Sequence, residues 1–100
     1  VTRIYKIVSA ADWAEAEAKG AYDGSADDRR DGYIHLSAED QWEATAAKWF
    51  AGQTGLLLVA FEAEALGEGL KWEPSRGGAL FPHLYGPLPT ALAIDRKPLA

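Results

Sequence analysis

Leu56-Leu57-Leu58-Val59-Ala60-Phe61 is an unbroken apolar run of strand length. It shows no alternation, so both of its faces are suited to burial. Such a segment belongs in the middle of a sheet rather than at its edge. The elements on either side are read outward from it. Upstream, Trp42, Thr45, Ala46, Trp49 and Phe50 recur at i, i+3, i+4, i+7 and i+8, which predicts a helix with one buried stripe. Ser37 is expected to cap that helix, with Glu39 and Asp40 in its first turn and Gly52 at its end.

Further upstream, Arg3–Val8 reads as a strand through Ile4, Tyr5, Ile7 and Val8. Ser9, with Asp12 three residues later, marks the start of a short helix through Trp13, Ala14, Ala16 and Ala18, and Gly20 stops it. The segment 21–31 is polar and is expected to be a loop, after which Gly32–Leu36 forms a strand. Downstream, Leu70–Glu73 is a short strand, the chain beyond Pro74 is irregular, and Ala91–Ile94 is expected to close the sheet. The order predicts an α+β domain, 1–100, with two helices packed on a bent, mainly antiparallel sheet.

Composition narrows the function classes. Hydrophobic residues make up 48% of the 100 positions and charged ones 25%, which supports a packed core and argues against disorder. The chain has no Cys, which removes disulfides, thiolate metal sites and cysteine nucleophiles and is compatible with a reducing compartment. A net charge of −5 argues against a broad nucleic-acid footprint, although Arg29 with Arg30 and Lys71 with Arg76 allow a local basic patch. With no apolar run near the ~20 residues of a membrane span and no signal-peptide pattern, a cytoplasmic protein is expected.

The two histidines carry the chemistry. Strand alternation puts Tyr33, His35 and Ser37 on one face and Ile34 and Leu36 on the other, so His35 lies beside a phenol and a hydroxyl. His83 lies in Phe81-Pro82-His83-Leu84-Tyr85-Gly86-Pro87, where two prolines and a glycine stiffen the backbone around a His and a Tyr. Glu73 at a strand end could orient a ribose hydroxyl or a histidine. Arg76, followed by Gly77 and Gly78, could approach a phosphate. His35 and His83 are expected to share one concave surface, with Glu73 or Tyr85 nearby. No Walker loop, dinucleotide fingerprint or metal-ligand spacing is present. The Trp residues, Trp42 and Trp49 among them, are expected in the core.

The set Ile4-Tyr5-Lys6-Ile7, Trp13, Gly20, Tyr22-Asp23-Gly24-Ser25, Asp31-Gly32-Tyr33-Ile34-His35-Leu36-Ser37, Gln41, Leu70-Lys71-Trp72-Glu73 and Phe81-Pro82-His83-Leu84-Tyr85-Gly86-Pro87-Leu88 resembles the domain-of-unknown-function family 952. That is a group of small, uncharacterised bacterial proteins, and the likeness runs over nearly the whole chain. The family in turn resembles a minimal ADP-ribosyltransferase-like fold, nearest by pattern to the RNA 2′-phosphotransferases, which use NAD to remove a phosphate from RNA. Tyr33-Ile34-His35-Leu36 matches their second strand at its final His. Their first-strand His-Gly-Thr has no counterpart at Tyr5-Lys6-Ile7, so the ribose-holding group is absent or replaced by Tyr5 or Lys6.

The resemblance implies a nucleotide-processing transferase acting on NAD or a related phosphorylated ligand. His35, Glu73 and His83 would be its catalytic residues, and Tyr5, Lys6, Tyr33, Ser37, Arg76 and Tyr85 would hold the ligand. Fold likeness does not by itself establish function. Two further readings stand beside it: a non-catalytic module for a nucleotide or other small molecule, and an interaction domain whose histidines are structural.

Overall fold

The computed structural model describes residues 2–99, and for Arg76 the backbone alone. Its centre is an antiparallel pair of strands, β1 (Arg3–Ser9) and β5 (Leu56–Glu62), in register from Arg3 opposite Glu62 to Ser9 opposite Leu56. Strands β4 (Ser37–Ala38) and β9 (Asp95–Pro98) flank them in the order β4-β1-β5-β9. The apolar run thus occupies an interior strand. Its residues divide by parity: Val59 and Phe61 pack with Ile4, Val8 and Trp13 on one face. Leu56, Leu58 and Ala60 pack with Tyr5 and Ile7 on the other. Helix α1 (Ala10–Lys19) supplies Trp13 and Ala16 to the first cluster, and α3 (Trp42–Trp49) lays Trp42 and Ala46 on the second. A sheet covered on both faces needs strands without alternation, as the run at 56–61 shows.

The first helix starts where the local signals put it. The Ser9 hydroxyl accepts from the Asp12 amide, and Gly20 ends the helix at φ 94°, a left-handed conformation that favours glycine. Two smaller antiparallel sheets complete the fold, β2 (Ala21–Tyr22) with β8 (Leu88–Pro89), and β3 (Ile34–His35) with β7 (Leu80–Leu84) and β6 (Leu70–Pro74). Among the described residues no helix is long and apolar enough to cross a membrane.

Four expectations are corrected. The segment 21–31 is not a plain loop, since it holds β2 and a third α-helix, α2 (Ala26–Asp31), so the helices number three among the described residues rather than two. Ser25 caps α2 through a reciprocal bond with Asp28, a local signal present in the sequence as Ser25-Ala26-Asp27-Asp28. Ser37 does not cap α3; it pairs with Tyr5 in the sheet, and the helix begins at Trp42 behind Gln41. The α3 stripe is not buried. Trp42, Ala46 and Phe50 are half-covered, while Trp49 is 59% exposed. Periodicity reports an apolar face but not whether a second layer covers all of it, and here part of that face borders an open cleft. Finally, the closing strand is Asp95–Pro98, with Thr90–Leu92 a 3-10 turn. A polar edge strand carries no apolar signature, and its charges with a terminal Pro suit an edge position.

Candidate functional site

Register brings the histidines together. His35 on β3 lies directly opposite His83 on β7, and directly opposed residues share a face with their Cβ atoms about 5 Å apart. The imidazole centroids are 5.7 Å apart at 69°. Tyr33 stacks on His83 at 4.0 Å and 24°, and lies 4.7 Å from the His35 ring.

Each imidazole is backed by a carboxylate through Nδ1. Glu73 sits diagonally across the β6–β7 ladder and meets His83 Nδ1 at 2.8 Å. The Tyr85 hydroxyl donates to the same Glu73 oxygen at 2.7 Å. These hydrogen bonds, from Tyr85 first and then His83, hold the Glu73 carboxyl below its ordinary range. The same bond pushes the Tyr85 phenol up to about 12, because ionising it would set two anions together.

On the other strand, Asp28 Oδ1 lies 2.6 Å from His35 Nδ1 and accepts the His35 backbone N–H at 3.1 Å. Asp28 Oδ2 accepts from Lys6 Nζ and from the Ser25 amide, each at 2.9 Å. Burial alone would raise the Asp28 carboxyl. The His35 hydrogen bond, the Lys6 charge and the backbone donors outweigh it and hold the group well below the usual carboxylate range. Burial pushes the Lys6 ammonium down, with Asp28 opposing.

These groups border a cleft of about 320 Å³. Six of the sequence candidates line it: Tyr5, Lys6, Tyr33, His35, Ser37 and His83. Glu73 and Tyr85 are not among its lining residues and reach it through the His83 ring. Tyr5 donates its hydroxyl to the Glu39 carboxylate, and Ser37 Oγ lies 3.3 Å from Thr45 Oγ1. Lys6 is turned to Asp28 and to the His35 carbonyl, 2.9 Å away. Ligand contact by Arg76 falls outside the described side chains. Among the described residues no cluster of three or more His, Asp or Glu could hold a metal ion.

Compared with known proteins, the chain matches the family described as "Protein of unknown function (DUF952)" over residues 7–95. It belongs to that family. This DUF952 chain is also similar to the crystal structure of protein CC0527 from Caulobacter crescentus, at 57% identity and a TM-score of 0.97. That match covers 99% of this chain and 87% of the other. The solution NMR structure of CC0527 matches at 58% identity and a TM-score of 0.87, covering 97% and 84% of the two chains. No curated protein matches the chain.

Two residues that meet the His35 side chain lie outside the candidates the sequence offers. Asp28 was hidden in a stretch read as loop, although the Ser25–Asp28 capping signal marked it. Asp31, whose Oδ2 lies 3.0 Å from His35 Nε2, had no such signal, because its placement depends on where α2 ends against β3.

Proposed function

We propose that this DUF952 domain binds and transforms a small molecule in the His35–His83 cleft, with the two imidazoles as proton donor and acceptor. The observation that carries this reading is the facing pair of histidines, each backed through Nδ1 by its own carboxylate. An ionised carboxylate only accepts, so each places a ring proton on Nδ1, and on His83 this leaves Nε2 for chemistry. On His83 that nitrogen is the acceptor. On His35 it faces Asp31, which pairs with it when the ring carries a second proton, so His35 is the donor. Positioned acid–base groups of this kind contribute about 10²–10⁴-fold in rate.

The finer reading is an ADP-ribosyltransferase-like enzyme acting on NAD or a related phosphorylated nucleotide. Loss of a base from ribose builds positive charge on the sugar, and an ionised Glu73 beside His83 supports that chemistry. A second reading is a non-catalytic module for a small molecule, and under either reading the cations that line the cleft are already engaged. Lys6 is already paired with Asp28, and Arg30 with Asp27 and Asp31. This argues for a ligand held by its base and sugar more than by a phosphate.

Backbone chemical-shift titrations with NAD, ADP-ribose, adenosine and short 2′-phosphorylated RNA test both. Binding should move His35, His83 and Phe50, and His83→Ala should lose affinity at least tenfold while keeping most of its thermal stability. Nicotinamide release from NAD separates enzyme from binder. If none of the four compounds perturbs the cleft, the nucleotide reading is wrong.

A further inference from the structure

We infer that Asp28 is the positioning residue of this cleft: its carboxylate sets which nitrogen of His35 carries a proton, and the buried Lys6 ammonium holds that carboxylate in place. Asp28 is 2% exposed, and four donors converge on its two oxygens. A carboxylate offers about four lone-pair sites, so its capacity is filled. Oδ1 takes the backbone N–H and the ring Nδ1 of the same residue, so neither the strand nor the ring can shift without losing both. Lys6 grips the arrangement from the opposite side, donating to Asp28 Oδ2 and to the His35 carbonyl. Three elements, β1 and the neighbouring α2 and β3, therefore meet at one histidine.

A helix cap alone does not call for this. The Ser25–Asp28 reciprocal bond is complete without Lys6 or His35. Taking an ammonium and a carboxylate out of water is costly, and an apolar pair of similar volume often does as well for stability. What an apolar pair cannot do is define the tautomer of a neighbouring histidine. The charged and titratable groups facing His35 are Asp28 and Asp31 from α2, Lys6 from β1, His83 from β7 and the neighbouring Tyr33.

The inference rests on reading the cleft as the functional site, but its test uses the ligand-free protein, so the two can fail separately. Long-range proton–nitrogen correlation spectra of the isotope-labelled chain report the protonated nitrogen of each imidazole. In the wild type, neutral His35 should carry its proton on Nδ1. Asp28→Asn removes the anion and should admit the other tautomer, with the proton on Nε2 opposite Asp31. Lys6→Met leaves the anion but loosens its hold, and should admit a smaller share of that tautomer than Asp28→Asn does, with the His83 tautomer unchanged in both. General loosening of the fold would disturb the His83 tautomer as well as that of His35. Neutral wild-type His35 protonated on Nε2, a measurement that needs no variant, would overturn the inference. So would a His35 tautomer left unchanged in both variants, or a His83 tautomer that changes along with it.

Discussion

Replacing Asp28 by Ala should be among the most destabilising single changes in this chain. The substitution strands the Lys6 ammonium, which keeps the His35 carbonyl and the face of the Tyr22 ring but no counter-charge in a nearly water-free position. Breaking a buried ion pair from one side typically costs about 3–5 kcal/mol. Loss of the bond from the Ser25 amide to Asp28 weakens the start of α2, and lost caps cost about 0.5–2 kcal/mol. Both losses pass through one carboxylate and so do not simply add, which makes about 4 kcal/mol a reasonable expectation. Small domains have about 5–15 kcal/mol in total, so the variant should be close to unfolding. With a urea slope near 2 kcal/mol per M, the denaturation midpoint should fall by about 2 M. Lys6→Met should cost less, because Asp28 retains its donors from Ser25 and His35.

The pH dependence carries a sign of its own. The folded-state pKa of Asp28 is depressed, so its contribution is fully present above the ordinary carboxylate value of about 3.9 and is lost as pH falls towards the lower folded value. The gap between wild type and Asp28→Ala should therefore narrow below about pH 4. A variant within about 0.5 M of the wild-type midpoint at pH 7, or a gap that fails to narrow below about pH 4, would refute the reasoning.

Two other substitutions test the packing. Trp13 is 1% exposed against Tyr22 and Phe61, so Trp13→Ala should cost about 3–5 kcal/mol, whereas Trp49→Ala should cost under about 1 kcal/mol. Equal urea midpoints for the pair would mean that the faces of α1 and α3 are misassigned. Gly24 sits at φ 106°, and a Cβ there would lie 2.9 Å from the Asp28 Cβ, so Gly24→Ala should destabilise by about 1–3 kcal/mol. A thermal midpoint at or above that of the wild type would show that the Asp28 loop tolerates displacement.

Much of this protein was legible from local physics. The run at 56–61 announced an interior strand because a segment buried on both faces has no alternation to show. Ser9 and Gly20 bounded α1 because helix ends are settled by hydrogen bonds within one turn. The two histidines stood out against an ordinary core pattern, and the family was readable from motifs spread over the chain. What the sequence left open depends on contacts between distant segments. Burial of Lys6 among Ile4, Val8 and their neighbours follows from strand parity, but the carboxylate that makes it tolerable comes from α2, which was read as loop. The half-open face of α3 depends on how far the sheet extends beneath it. The polar strand β9 forms because β5 has a free edge, a property of the partner strand. The placement of Lys6 against Asp28 was likewise decided by tertiary structure, since an ion pair between β1 and α2 leaves no periodicity in either of them.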